Sequence, residues 1–211
     1  MNIIDISPLI SENIAVFPGD IAFHRHQALS FAKGDHLELS SMTTTLHLGA
    51  HADAPNHYHP DGIGIGEREL MPYLGPCQVI KVSLKEPMAR IRPEHIQDTK
   101  ILAPRTLFKT GSFPNPEDWV DDFNALSPEL IHFLADQGVV LVGIDTPSVD
   151  PSPAKVLKSH LAIYERKLAI LEGLVLDHVR PGTYQLVALP LKIKGADASP
   201  VRAILLEKPI H

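Results

Sequence analysis

The sequence contains one cysteine and no apolar stretch long enough to cross a membrane. A single cysteine excludes an internal disulfide, and the strand-like setting of Cys77 is typical of a small buried hydrophobe. The first residues contain no basic segment followed by an apolar run, so a secretory signal is not expected. These absences predict a cytoplasmic protein.

Basic residues are also few. The chain has 19 Lys and Arg against 25 Asp and Glu, a net charge of −6, and no basic block stands out. Nucleic acid and anionic membranes are therefore poor partners. Because we find no repeat, low-complexity linker or shift in composition, we predict that the 211 residues form a single domain, 1–211.

Two common catalytic patterns are missing. The segment DGIGIG (61–66) has alternating glycines but lacks the spacing and the strand-turn-helix context of a dinucleotide loop, so no nucleotide cofactor is expected. Asp145 and Ser148 lie close together, yet no Gly-x-Ser-x-Gly nucleophile elbow surrounds them. We interpret their segment as the end of a strand that turns at Pro147 towards His160.

Short Val, Ile and Leu runs separated by Pro and Gly predict an α/β protein with a mixed sheet core. A helix is predicted over 127–137, with Ser127 as its cap, Pro128 in its first turn and Gly138 ending it. A second helix is predicted within 154–168. The predicted strands are 3–6, 37–46, 79–84, 106–110, 139–144, 173–176, 184–191 and 201–206.

The densest chemical signal is the segment His47-Leu-Gly-Ala-His51-Ala-Asp53-Ala-Pro55-Asn-His57. Glycine, aspartate and proline disfavour a helix here, so we expect an extended backbone. Odd-numbered side chains would then share one side, with the last beyond a proline bend. Imidazoles and a carboxylate are ligands for zinc, with manganese as an alternative. A histidine-rich loop without a metal is the less favoured interpretation.

The same segment, HLGAHADAPNH, resembles the His-x-Gly-Thr-His-x-Asp-x-Pro-x-His signature of the cyclase family. Further segments resemble that family in the same order, so the likeness covers nearly the whole chain: MTTTLHLGAHADAP, IGIGE, YLGPCQVIKV, GIDTPSVDP, ILEGL and YQLVALPLKIKGADASPVRAIL. The resemblance implies a swivelling β/β/α fold, a homodimer and two zinc ions. The implied activity is hydrolysis of an aryl formamide, N-formyl-L-kynurenine, to L-kynurenine and formate in tryptophan degradation.

The resemblance also implies the metal ligands, with Asp53 bridging the two ions: His47, His51, Asp53, His160 and Glu172. For Glu172 the residues themselves agree, because a carboxylate within AILEGLV is costly to bury unless a cation compensates it. Without the resemblance, Glu172 would be read as a solvent-facing residue at a turn. His160 alone would be read as a surface histidine at a helix start.

Two further residues receive roles. The resemblance makes His57 the general acid/base, and its place beyond Pro55 leaves it free to move protons, although a ligand role stays open. Such a residue would protonate the leaving nitrogen while a metal-activated water attacks the formyl carbon. Phe17 corresponds to the aromatic residue that contacts the substrate ring, with an ordinary loop anchor as the alternative.

Alternatives to this function remain at this stage. Ala50 replaces the threonine of the signature without changing the ligands. Asn56 and His59 depart from the expected residues beside His57, so hydrolysis of isatin or of another amide or lactam stays open. A non-catalytic binding protein that keeps the metal as a structural element is the alternative of another class, and His57 argues against it.

Overall fold

The computed structural model describes residues 2–207, which form thirteen strands and three α-helices. The strands are β1 Ile3–Asp5, β2 His24–Leu29, β3 Leu39–Thr43, β4 His51–Asp53, β5 Leu74–Lys81, β6 Arg90–Ile91, β7 Arg105–Lys109, β8 Ala125–Leu126, β9 Leu141–Ile144, β10 Ala169–Leu171, β11 Gly182–Val187, β12 Ala198–Pro200 and β13 Ile204–Leu206.

The helices are short. The α-helices are α1 Pro55–Tyr58, α2 Pro128–Asp136 and α3 Lys158–Arg166. Single 3-10 turns occupy Phe31–Lys33, Ile65–Glu67, Met71–Tyr73 and Pro93–Ile96. Within residues 2–207, every helix is too short or too polar to cross a bilayer.

Seven strands form one mixed sheet in the order β1-β13-β11-β5-β7-β9-β10. The pairs from β1 to β5 are antiparallel, whereas β5, β7, β9 and β10 run parallel to one another. Parallel strands are usually covered on both faces, and their sequences are correspondingly apolar. This sheet confirms the predicted α/β class with a mixed sheet core.

The sheet separates two cores. On one face, alternate residues such as Leu107 pack with the alanines of the small β4–β12 sheet. On the other face, residues such as Phe108 pack against α2 and α3. Neighbouring side chains on a strand point to opposite faces, which is why one strand serves both cores. The result is the three-layered β/β/α arrangement that the resemblance implied.

The helix predicted over 127–137 is confirmed as α2. The Ser127 hydroxyl accepts a hydrogen bond from the Leu130 amide at 3.1 Å, Pro128 is the first residue, and Gly138 follows with φ of 81°. These are the starting and ending signals expected of an α-helix. The second predicted helix also forms, over a shorter span than 154–168.

Some predicted strands are wrong. Residues 173–176 are not a strand; the strand lies just before them, because Gly173 adopts φ of 63° and turns the chain after β10. The strand predicted over 201–206 is confirmed only for Ile204–Leu206, which form β13. The preceding strand, β12, ends at Pro200. The β2–β3 hairpin was predicted only in part. Strand β3 lies within the predicted strand 37–46, but β2 was not predicted because it is polar and exposed and contains no apolar run.

Candidate metal centre and cleft

Strand β4 supplies the first two site residues. His51 and Asp53 are almost completely buried and lie on the same side of the strand, whereas Ala52 between them packs into the core. Strand alternation predicts this separation of ligand-type and core side chains. The extended backbone expected for the centre of the motif is therefore confirmed.

The extended interpretation is wrong for the start of the motif, whereas the bend expected at Pro55 is present. His47 precedes Gly49, whose φ of 53° bends the chain, and His57 lies in the one-turn helix α1. Pro55 starts that turn because its ring fixes a helical φ. Both rings nevertheless reach the centre. His47 Nδ1 lies 3.0 Å from Asp53 Oδ1, and the His47 and His57 ring centroids are 4.2 Å apart.

Glu172 reaches the centre through the backbone of β4. The His51 amide donates to the Glu172 carbonyl at 3.1 Å, and the Glu172 amide donates to the His51 carbonyl at 3.0 Å. Glu172 is 2% exposed, and its Oε1 accepts a hydrogen bond from the Val149 backbone amide at 2.7 Å. The solvent-facing interpretation of Glu172 is therefore wrong.

His160 enters from α3. It is 2% exposed, its Nε2 lies 3.3 Å from Asp53 Oδ2, and its Nδ1 lies 2.9 Å from Asp150 Oδ2. Asp150 also pairs with the Arg90 guanidinium at 2.7 Å and accepts from the backbone amides of Ser159 and His160. The surface interpretation of His160 is wrong. Sequence analysis did not single out Asp150, which orients that ring.

Acceptors outside the centre fix the position of one ring proton in His51 and in His160. His51 Nδ1 lies 2.8 Å from the Gly49 carbonyl, which can only accept, so the ring proton belongs on Nδ1. In the same way the Asp150 carboxylate places the His160 proton on Nδ1. In each ring Nε2 then faces carboxylate oxygens of the centre. His51 Nε2 lies 3.2 Å from Glu172 Oε2 and 3.4 Å from Asp53 Oδ1.

The buried donor set fits a divalent cation. Among the described residues, His51 Nε2 and Asp53 Oδ1 are enclosed and have no hydrogen-bond partner. His51, Asp53 and Glu172 each offer a ligand atom, and these atoms lie within 4.8 Å of one another. Buried lone pairs and negative charges without partners are costly, and a metal ion between them removes that cost.

The carboxylates and histidines of the centre shift one another's pKa values towards the charged forms. Burial would raise the pKa of Asp53, but His160 and His47 hold it well below its usual range. Burial also disfavours the charged form of His47, yet the neighbouring carboxylates of Asp53 and Asp197 outweigh this effect and raise its pKa to about 9. The site is thus arranged to keep its carboxylates ionised, as a cation would require.

His57 differs from the other histidines of the motif. Its side chain is 33% exposed, and burial lowers its pKa, so the ring is neutral at neutral pH. Its Nδ1 lies 3.7 Å from the Asp197 carboxylate, which also contacts His47 Nε2 at 3.0 Å. Ligand atoms of His47, Asp53 and His57 also lie within 4.8 Å of one another. A metal-ligand role for His57 therefore stays open.

The centre forms the floor of a cleft of about 570 Å³. Phe17 lines this cleft, and half of its surface is exposed. Trp119, which sequence analysis did not single out, packs edge-on against Phe17 with ring centroids 5.3 Å apart. Asn56 and His59 do not line this cleft: Asn56 donates to the Gly195 carbonyl, and His59 stacks on Tyr164.

Comparison with known proteins identifies the family of this chain. The family model described as "Putative cyclase" matches residues 4–151. A Bordetella petrii protein named kynurenine formamidase is 46% identical over 204 residues, covering 96% of this chain and 97% of the relative. A solved structure titled as a potential metal-dependent hydrolase with cyclase activity has a TM-score of 0.84 at 25% identity, covering 99% of each chain.

The fold is shared still more widely. Isatin hydrolase A from Labrenzia aggregata, bound to benzyl benzoate, has a TM-score of 0.83 over 98% of this chain and 94% of its own, at 21% identity. That similarity concerns the β/β/α fold alone. The match over residues 4–151 and the end-to-end relative show that the chain belongs to the cyclase family.

Proposed function

We propose that this protein is a kynurenine formamidase, which hydrolyses N-formyl-L-kynurenine to L-kynurenine and formate. The observation that carries the substrate is the 46% identity, over almost the full length of both chains, to a relative of that name. The reaction class is supported by the buried, unpartnered donors of His51 and Asp53, which face an aromatic-walled cleft.

The proposed metal site uses the ligands named from the sequence. Asp53 offers both oxygens, Oδ1 towards His47 and His51 and Oδ2 towards His160, so it is suited to bridge two ions. Glu172 also lies between His51 and His160, at 3.2 and 3.5 Å. When bound, zinc lowers the pKa of water to about 7 and polarises a carbonyl oxygen.

His57 is the proposed proton carrier. Its neutral ring can take a proton from the attacking water and then give it to the leaving aryl nitrogen, which departs poorly as an anion. The two transfers balance, since the water gives its oxygen to formate and its protons end on the products. Phe17 orients the aryl ring through its exposed face.

Zinc as the metal, two ions per subunit, a homodimer and a cytoplasmic location are parts of the same proposal. They rest on the family resemblance. A monomeric mass at micromolar concentration with full activity would exclude an obligatory dimer. Metal analysis of the purified protein, by plasma mass spectrometry, distinguishes zinc from manganese and gives the number of ions.

Isatin hydrolysis is less well supported than it was from the sequence. The reason for it was the unusual pair Asn56 and His59, and both side chains lie outside the cleft. The decisive experiment is a hydrolysis assay with N-formylkynurenine and isatin in parallel, on one sample of measured metal content. We expect a higher kcat/KM for the formamide. Preference for isatin, or no turnover by metal-replete protein, would contradict the proposal.

A further inference from the structure

Trp119 is the only tryptophan of the chain, and it lines the same cleft as the metal centre. It lies in the irregular segment between β7 and β8, far in sequence from Phe17. The two rings meet nearly at right angles, with an interplanar angle of 76° and centroids 5.3 Å apart. The cleft therefore has an aromatic corner built from two distant segments.

The indole is held in place from several sides. Phe113 and Phe123 contact it edge-on, with centroids 6.0 and 6.1 Å away, and Phe123 is completely buried. The indole Nε1–H donates to Asp121 Oδ1 at 2.8 Å. Because its only donor is already used, the indole offers a ligand its apolar ring surface. Edge-on aromatic contacts of this kind also fix ring orientation.

Hydrogen bonds fix the two ends of the segment that carries Trp119. Asp145, at the end of β9 and 7% exposed, accepts hydrogen bonds from the Thr110 amide, the Thr110 hydroxyl and the Gly111 amide at 2.6 to 2.9 Å. The Ser112 hydroxyl contacts the Thr110 hydroxyl at 2.8 Å and accepts from the Asn124 amide. These hydrogen bonds hold both ends of the segment that carries Trp119. The aromatic corner is therefore formed before a ligand binds.

We propose that Trp119 is a substrate-recognition residue that selects aryl amides over alkyl amides. A ring stacked on the face of Phe17 would meet Trp119 edge-to-face, since the two side chains are nearly perpendicular. Both offset-stacked and edge-to-face contacts are favourable for aromatic rings, and a saturated ring gains neither. The inference deepens the proposed hydrolysis of an aryl formamide and rests on it for the orientation of the ligand.

The test uses acetanilide and N-cyclohexylacetamide, which share the same heavy-atom skeleton but carry an aromatic and a saturated ring, respectively. Calorimetry gives Kd for both compounds with the wild type, Trp119→Phe, Trp119→Leu and the control Phe31→Leu, an exposed aromatic residue outside the cleft. We expect Trp119→Leu to reduce the preference for acetanilide roughly 2- to 12-fold. Trp119→Phe should keep most of the preference, and Phe31→Leu should keep all of it.

Fluorescence supplies a measurement that needs no variant. With a single tryptophan, saturating acetanilide should change the emission of the wild type, and N-cyclohexylacetamide should change it less. The proposal is overturned if acetanilide does not bind, if it binds without altering the emission, or if Trp119→Leu keeps the preference. If acetanilide binding depends on Trp119 but N-formylkynurenine is not hydrolysed, the proposed function fails while the recognition role stands.

Discussion

His51 Nε2 and Asp53 Oδ1 lie 3.4 Å apart in the interior, and neither atom has a hydrogen-bond partner among the described residues. Both atoms are acceptors when the ring is neutral, because the Gly49 carbonyl holds the ring proton on Nδ1. Two acceptors that face each other at this distance repel. A cation bound between them converts this repulsion into coordination.

Replacing His51 with Ala should remove bound metal and activity together, because the substitution deletes a buried ligand. A chelator should have the same effect on the wild type, and added zinc should restore it. Metal loss should also lower Tm, since an ion that binds only the folded state stabilises it by mass action. Metal content, turnover and thermal unfolding are measured on the same samples.

The matched control is His132→Ala, which removes a partly exposed histidine of α2 that lies outside the cleft. It should keep wild-type metal content and activity. If the His51 variant retained stoichiometric metal, the donor set described here would not be the metal site.

His57→Ala should lower kcat for the formamide by roughly 10²- to 10⁴-fold, because a positioned general acid/base contributes about that much. Bound metal should remain. His59→Ala is the control, since His59 stacks on Tyr164 away from the cleft, and it should keep near-normal turnover. A metal-free His57 variant would show that His57 is a ligand. A large loss in the His59 variant would move the proton-transfer role to that residue.

The pH profile should report the environment of His57. Burial disfavours its imidazolium, so its pKa lies below the ordinary value of 6.5. The neutral ring accepts the proton, so kcat/KM should fall as pH decreases through this lowered pKa, with the acid limb below pH 6.5. In His57→Ala this limb should disappear from the residual activity. An acid limb above 6.5 that persists in the variant belongs to another group.

Asp150→Asn should weaken metal binding by roughly 10- to 100-fold without removing a direct ligand. Asp150 holds His160 Nδ1 at 2.9 Å, and its charge also neutralises Arg90. Burial alone would raise the pKa of Asp150, but bonding to His160 and Arg90 lowers it to about 2, so the carboxylate is ionised. The control Asp136→Asn affects an exposed pair with Arg166 and should leave affinity unchanged. Metal titration with a competing chelator measures both.

Gly173→Ala should be strongly destabilising, by roughly 3 kcal/mol or more, because a Cβ at this position would lie 2.1 Å from the Gly49 carbonyl oxygen. The backbone also has φ of 63°. Gly138→Ala is the control. It shares a positive φ of 81° but has open space around it, so about 1 kcal/mol is expected. Equal losses of unfolding free energy in denaturant titrations would mean that the close approach of the two glycines is not a constraint.

Local sequence predicted α2 and the middle of the metal motif well. Ser127, Pro128 and Gly138 are signals that act within one or two turns, and the structure uses all three. The alternation of His51, Ala52 and Asp53 is likewise a property of one strand. The resemblance to the cyclase family extended this to the whole β/β/α fold, which the structure and the comparisons confirm.

Contacts between segments that are far apart in the chain could not be predicted from the sequence pattern. The burial of Glu172 depends on reciprocal backbone hydrogen bonds with His51, which exist only once β10 lies beside β4. Asp150 acquires its role because α3 brings His160 to it. Trp119 meets Phe17 only through the folded segment between β7 and β8.

The sequence by itself therefore determined which ligand-type side chains are available and the short elements that carry them. The tertiary structure alone decided which atoms are buried together, which nitrogens carry protons and which side chains face the cleft. The physical reason is that capping and strand alternation depend on neighbouring residues. Burial and the orientation of a ring depend on groups that the sheet brings together from far along the chain.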